Sequence, residues 1–236
     1  MSKTVIEFLK NIDIVDFSKK YNDWLISELS EPVAELARKG WTIPAFINWL
    51  GVTSYEPLKN DQNRLIESWE NSYNQNAESL FEDILNDCPE QWKELMQECI
   101  SCYHAGKYVI CIPALLVIFE GLLSIKIYNF DIDKTHYRDP MMNGIRSNHY
   151  AGIDTLKMLS IKEYVSNVFK KSIFSDAVPN GLNRHWVMHG RGCISSNKLE
   201  ALQLFNAVGT LLTVNTLWAD MYSSDKTLYK AFKIDS

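Results

Sequence analysis

Lys107-Tyr-Val-Ile-Cys-Ile-Pro-Ala-Leu-Leu-Val-Ile-Phe-Glu-Gly-Leu-Leu-Ser-Ile-Lys-Ile-Tyr-Asn-Phe130 is the stretch on which the fold turns. From Tyr108 through Phe119 it holds no charge and is apolar nearly all round. Such a run either crosses a membrane or is a helix enclosed by other helices. Spans usually need about 18 or more uncharged residues, whereas Glu120 falls in the middle of this run and Pro113 interrupts it. The run reads as the buried central helix of a bundle. That reading makes a demand, because a carboxylate in apolar surroundings pairs with a cation or stays protonated. Arg184 is the candidate partner for Glu120.

The flanks agree with a bundle. Upstream, Pro89 to Ala105 puts Trp92, Leu95, Met96, Cys99 and Tyr103 on one stripe, and Gly106 separates it from the central run. Before that, Asp61 to Asn86 repeats Leu65, Trp69, Tyr73, Ala77, Leu80, Phe81, Ile84 and Leu85 at helical spacing. Pro89 predicts a break near 87–88. Residues 1–50 read as helical segments, with a start at Ser30 and Pro32 and a stop at Gly40. Trp41, Ile43, Phe46, Trp49 and Leu50 follow as an aromatic patch around Pro44, read as core.

Downstream, 131–148 reads as a polar connector with Pro140 and Gly144, carrying His136, Arg138, Arg146 and, just beyond, His149. Two short helices are expected at Tyr150–Leu159 and Ile161–Ile173, with Lys170 and Lys171 closing the second. A long final helix is expected from Leu199 to Tyr222, its apolar side interrupted by Asn206, Thr210 and Thr213. The fold class is therefore all-α, a helical bundle with an additional N-terminal helical region. The expected division is 1–88 for that region, of unassigned role, 89–225 for the bundle and 226–236 for a tail.

Composition supports this class. Apolar residues make up 46% of the 236, and only ten glycines and seven prolines are present, too few for many short strands with tight turns. The first ten residues meet charges before any apolar run of signal-peptide length. Cys88, Cys99, Cys102, Cys111 and Cys193 are odd in number, so reduced thiols and a cytoplasmic location are expected. Cys99 and Cys102 have CxxC spacing but lack a second ligand pair. A net charge of −5 excludes a broad basic nucleic-acid-binding face and permits a small cationic cleft.

That cleft has one candidate, Gly181-Leu-Asn-Arg-His-Trp-Val-Met-His-Gly190. From Ala177 to Leu199 no Asp or Glu occurs, while Arg184, Arg191 and Lys198 do, which reverses the local sign in a chain with 29 acids and 24 bases. If the segment is helical, His185 and His189 share a face, and Arg184 lies roughly 140° from His189 around the axis. Gly190 and Gly192 mark a stop, which puts His189 in the last turn, where the helix dipole favours an imidazolium. Arginine supplies a permanent planar charge matched to two phosphate oxygens. Imidazole transfers protons near neutral pH.

Arg184-His185-Trp186-Val187-Met188-His189 resembles the Arg-x4-His motif of the HEPN superfamily. The longer string Asn183-Arg184-His185-x3-His189-Gly190 is similar to a bacterial subset of such domains. The resemblance covers roughly residues 90–225 and leaves the first 88 unexplained. It implies an all-helical, metal-independent endoribonuclease of toxin–antitoxin or phage-defence type, requiring no cofactor. RNA, including tRNA, would be the substrate, its 2′-hydroxyl attacking the adjacent phosphate. By the same resemblance Arg184, His185 and His189 would be catalytic, Asn183 and Glu120 supporting, and Arg191 and Lys198 substrate contacts. A homodimer with a composite active site is implied too, supported by the apolar final helix, along with an antitoxin or defence partner. Some HEPN toxins carry a modifiable tyrosine two residues after the motif histidine; here Arg191 stands there.

Two other classes fit the same residues. One is a non-catalytic domain binding a nucleotide or a protein through the cleft. The other is a metal hydrolase built on His185-x3-His189, which lacks an obvious third ligand apart from Glu120.

Overall fold

The computed structural model describes residues 14–47, 55–128, 137–146, 150, 152–171, 177–179, 181–191 and 197–214. Trp49, Leu50, His136, His149, Gly192, Cys193 and everything after 214 lie outside them. The described part is 80% helical with no strand, an all-α bundle. Its helices are α1 (Ile14–Arg38), α2 (Glu56–Asn60), α3 (Gln62–Asp87), α4 (Glu90–His104), α5 (Tyr108–Tyr128), α6 (Arg138–Arg146), α7 (Ile153–Val168), α8 (Arg184–Met188) and α9 (Lys198–Thr213).

The centre of the bundle is α9. Every residue from Ala201 to Leu211 is buried, because α3, α5 and α7 pack around it. Phe205 meets Phe81 of α3 at 4.7 Å and Tyr103 of α4 at 5.6 Å between ring centroids. Over its described length the apolar side of this helix lies inside the chain's own core.

The polar residues of α9 clamp the segment after α1. The Asn206 amide donates to the Thr42 carbonyl at 2.9 Å and to its hydroxyl at 2.8 Å, and accepts from the Tyr73 hydroxyl at 2.9 Å. The Thr210 hydroxyl donates to the Ile43 carbonyl at 2.8 Å, and the Ile43 N–H donates to Ser160 at 3.1 Å. Trp41 and Ile43 are thereby held in the core, and Phe46 packs partly buried against it.

The run expected to be the buried central helix does form a helix, α5, continuous through Pro113, but it packs beside α9 and does not itself occupy the centre. Over Tyr108–Ile127 it is long and apolar enough to cross a membrane, by length and composition. Its inward face (Cys111, Ile112, Leu115, Phe119, Leu122) is closed off by α4 and α9, while Val109, Ile110 and Val117 stay exposed.

Three further expectations are corrected. Helix α1 does not begin at Ser30 but runs through Pro32 from Ile14. A proline inside a helix costs about 3 kcal/mol, yet Leu25, Leu29, Val33 and Leu36 form one stripe at 0% exposure across it. At about 1.5–3 kcal/mol per buried side chain, that stripe outweighs the proline. The supposed connector contains α6, whose Met141 and Ile145 (i, i+4) are buried against α7. The two helices expected between 150 and 173 are one, α7, ending at Val168. Ser160 does not break it, because its hydroxyl bonds back to the Lys157 carbonyl at 2.7 Å.

The hydrophobic core runs through position 88 without a gap, from Leu25 and Trp41 to Leu211. Asn22 of α1 ties in directly: its amide donates to the Tyr150 carbonyl at 2.6 Å and accepts from Gly152 N–H and the Thr155 hydroxyl.

Candidate functional site

Helix α8 is five residues long, too short for its packing to hold it, so its ends do. Asn183 is the N-cap, its side-chain oxygen accepting the Trp186 N–H at 3.1 Å. The same amide donates to the Lys170 carbonyl at 2.9 Å, fastening the start of α8 to the end of α7. At the other end Gly190 takes φ +60°. Gly190 N–H then bonds the Val187 carbonyl and Arg191 N–H the Trp186 carbonyl, the paired 5→2 and 6→1 bonds of a Schellman stop. The glycine stop predicted at Gly190 is therefore present. Helix α8 itself is shorter than the motif, and His189 is its C-cap residue. One and a half turns carry little dipole, so that source of imidazolium stabilisation is small here.

The demand placed on Glu120 is met. Arg184 Nε and Nη2 donate to Glu120 Oε2 at 2.9 and 2.6 Å, with 29% and 28% of the two side chains exposed. The guanidinium also lies over the Phe169 ring, 5.3 Å from its centroid. Close by, Gly121 lets α4 approach α5, since a Cβ there would sit 2.4 Å from the Trp92 ring.

His185 and His189 stand edge to face, ring centroids 4.5 Å apart, as their four-residue spacing implies. His189 is exposed and His185 half-buried. Desolvation, then the charges of Arg191, His189, Arg184 and Lys171, hold the His185 imidazole below its ordinary pKa. Every charge acting on this ring is thus positive, the consequence of the acid-free window. Near pH 7 it is a neutral imidazole, able to accept a proton.

Asn183, Arg184, His185, His189, Glu120 and Arg191 thus assemble at one place. The Asn183 amide is engaged at both ends and 6% exposed, so it supports the site by fixing the start of α8. Lys198 stands on the first turn of α9, 6.0 Å from the Tyr103 ring centroid, with no described contact to α8. Phe169 and Lys171 were not singled out from sequence, where Lys170 and Lys171 read only as a helix end. Among the described residues no group of three or more His, Cys, Asp or Glu is placed to hold a metal. Behind the segment 181–183 lies a cleft of about 360 Å³ lined by Leu182 and Asn183, and by none of Arg184, His185 and His189.

What fold and site define is a class, an all-helical bundle carrying an arginine–histidine cluster on a capped short helix against α5. No protein-family model, curated sequence or solved structure matches the chain.

Proposed function

We propose that the protein is a metal-independent endoribonuclease of toxin or phage-defence type, similar in site and mechanism to the HEPN ribonucleases. One observation carries this: a guanidinium oriented by Glu120 stands on the same short helix as two facing imidazoles, one of them kept neutral by surrounding positive charge. Cleavage of RNA without a metal needs a proton acceptor for the 2′-hydroxyl, a donor for the departing 5′-oxygen and a cation for the phosphorane charge. His185 takes the first role. His189, exposed and next to it, takes the second. Arg184 takes the third, keeping donors free beyond those given to Glu120. Arg191 and Lys198 add positive charge along the RNA path.

The same reading makes the protein cytoplasmic, acting on RNA, tRNA included, and answering to an antitoxin or defence partner. It makes the active unit a homodimer. The exposed Ile110 and Val117 of α5, about one helical turn before and after Ala114 and on the helix that carries Glu120, supply an apolar face for a second copy.

The test is incubation of the full chain with tRNA and total RNA in EDTA. Products ending in 2′,3′-cyclic phosphate, lost in His189→Ala and Arg184→Ala, are the expected result. RNA bound but left intact by folded protein would favour the non-catalytic binding module, a reading favoured by Glu120 already neutralising part of the Arg184 charge. Stoichiometric zinc with chelator-sensitive activity would favour the metal hydrolase.

A further inference from the structure

Helices α4 and α5 fold back on each other as a hairpin. The turn between them closes at Gly106, at φ +71°, with the Lys107 N–H bonded to the Cys102 carbonyl at 2.8 Å. Two contacts fix the register. Next to the turn the Tyr103 and Tyr108 rings meet edge to face, centroids 5.5 Å apart. Towards the far end Trp92 lies against Gly121. Between those two contacts the register brings Cys99 of α4 to Cys111 of α5, 2% and 0% exposed.

Both cysteines are free thiols. The Cys111 thiol donates a hydrogen bond to the Cys99 sulfur. Cysteines whose side chains diverge cannot be bridged; a direct S–H···S bond means that these two converge. That bond, the largest cause at each residue, holds Cys99 below the ordinary thiol pKa in spite of burial. The same bond, with burial, raises Cys111. Cys88 is the contrast: it is 3% exposed, and burial as the largest cause pushes its thiol up to about 11. Cys99 is therefore eased towards the thiolate, the form that oxidants attack, and a second thiol already rests on it. Cys102, one turn further along α4, is half-buried. Its spacing from Cys99 suits a metal pair, but no group of three or more His, Cys, Asp or Glu among the described residues is placed to hold a metal. The chemistry open to this seam is between two sulfurs.

We propose that Cys99 and Cys111 are a peroxide-oxidisable dithiol that closes to a disulfide across the α4–α5 hairpin. The Cys99 thiolate attacks one oxygen of hydrogen peroxide, the O–O bond breaks, and hydroxide leaves as water with the proton that the thiol gave up. Cys99 is then a sulfenic acid, oxidised by two electrons. The Cys111 sulfur attacks Cys99 Sγ, the S–O bond breaks, and the Cys111 proton departs with the hydroxide as a second water. Two thiols and one peroxide thus give one disulfide and two waters. An oxidant hardly larger than water suits a sulfur so little exposed. The link ties α4 to the helix that carries Glu120, and it stands or falls independently of the ribonuclease reading.

The experiment treats the reduced full chain with a small molar excess of hydrogen peroxide, while circular dichroism shows the fold intact. Remaining thiols are then alkylated in denaturant and the digest is mapped by mass spectrometry. The expected main product is a Cys99–Cys111 link, lost on reduction with dithiothreitol, with Cys88 recovered alkylated. Cys102→Ser should keep the link, and Cys99→Ser and Cys111→Ser should abolish it. The wild-type map decides the matter even where a serine in the core unfolds a variant. Oxidation that ends in sulfinic or sulfonic acid without a link overturns the proposal. So does a main link to Cys102, Cys193 or a second chain, or a fully reduced Cys99–Cys111 pair after the peroxide is consumed.

Discussion

Asn206 and Arg184 are both polar residues held by partners from distant parts of the chain, yet they sit in opposite kinds of surroundings. Asn206 is 0% exposed, and its amide has Tyr73 and Thr42 on it in a dry core. Arg184 is half-buried, gives two bonds to one oxygen of Glu120, and lies beside two imidazoles with no described hydrogen-bond partners on their rings. The first network is saturated, so its energy goes into holding Thr42 and Ile43 against α9. The second keeps unused donors and acceptors at the surface. A saturated polar cluster specifies structure, and an unsaturated one kept in place by caps is available for a ligand.

Substitutions at the two places should separate along that line. The largest effect is expected from His189→Ala on RNA cleavage, a loss of about 10²–10⁴, with stability within about 0.5 kcal/mol of wild type because the residue is exposed. A urea midpoint that moved as far as the activity would make His189 a packing residue. Next is Asn206→Leu, which orphans the Tyr73 hydroxyl and the Thr42 carbonyl, while the Thr42 hydroxyl keeps Thr210 at 2.8 Å, at about 1–3 kcal/mol per orphaned group. A net loss of about 3 kcal/mol or more should appear in urea unfolding. A loss under about 1 kcal/mol would mean that the network is not what holds the loop.

Glu120→Gln should be milder in stability, about 1 kcal/mol, since the pair is partly solvated. Its cleavage rate should still fall about tenfold as the guanidinium loses its anchor. An unchanged rate would leave the pair structural only.

The smallest effect is the titration of His185, followed by NMR. Its pKa lies below the ordinary 6.5 and should rise toward that value in Arg191→Gln, though only partway, because desolvation is the larger cause. The sign follows from linkage: the unfolded chain takes this proton first, so stability falls as pH drops through the ordinary histidine range. A His185 pKa at or above its ordinary value would remove the neutral base from the mechanism.

Much of the bundle was legible beforehand. The 3.6-residue spacing of large apolar side chains marks α3 and α4 within a residue or two, and a charge-free run marks α5. Glu120, stranded in that run, announces a partner, and the acid-free window around Arg184 identifies it. Helix α6 was less legible, because Met141, Met142 and Ile145 are its only large apolar positions, among polar neighbours, glycine and proline. So was α1 across Pro32, because proline reads as a boundary until the stripe from Leu25 to Leu36 is seen buried on both sides of it.

Composition and periodicity thus settle that the chain is all-helical and which charges must meet, since these depend on local geometry and on the cost of burying a lone carboxylate. Three things are decided only when the helices pack: that α9 is enclosed on every side, that Asn183 is a capping residue rather than a free amide, and that one oxygen of Glu200 is buried without a partner. Each depends on which residues, far apart in the chain, come within hydrogen-bonding or van der Waals distance, and no local pattern encodes that distance.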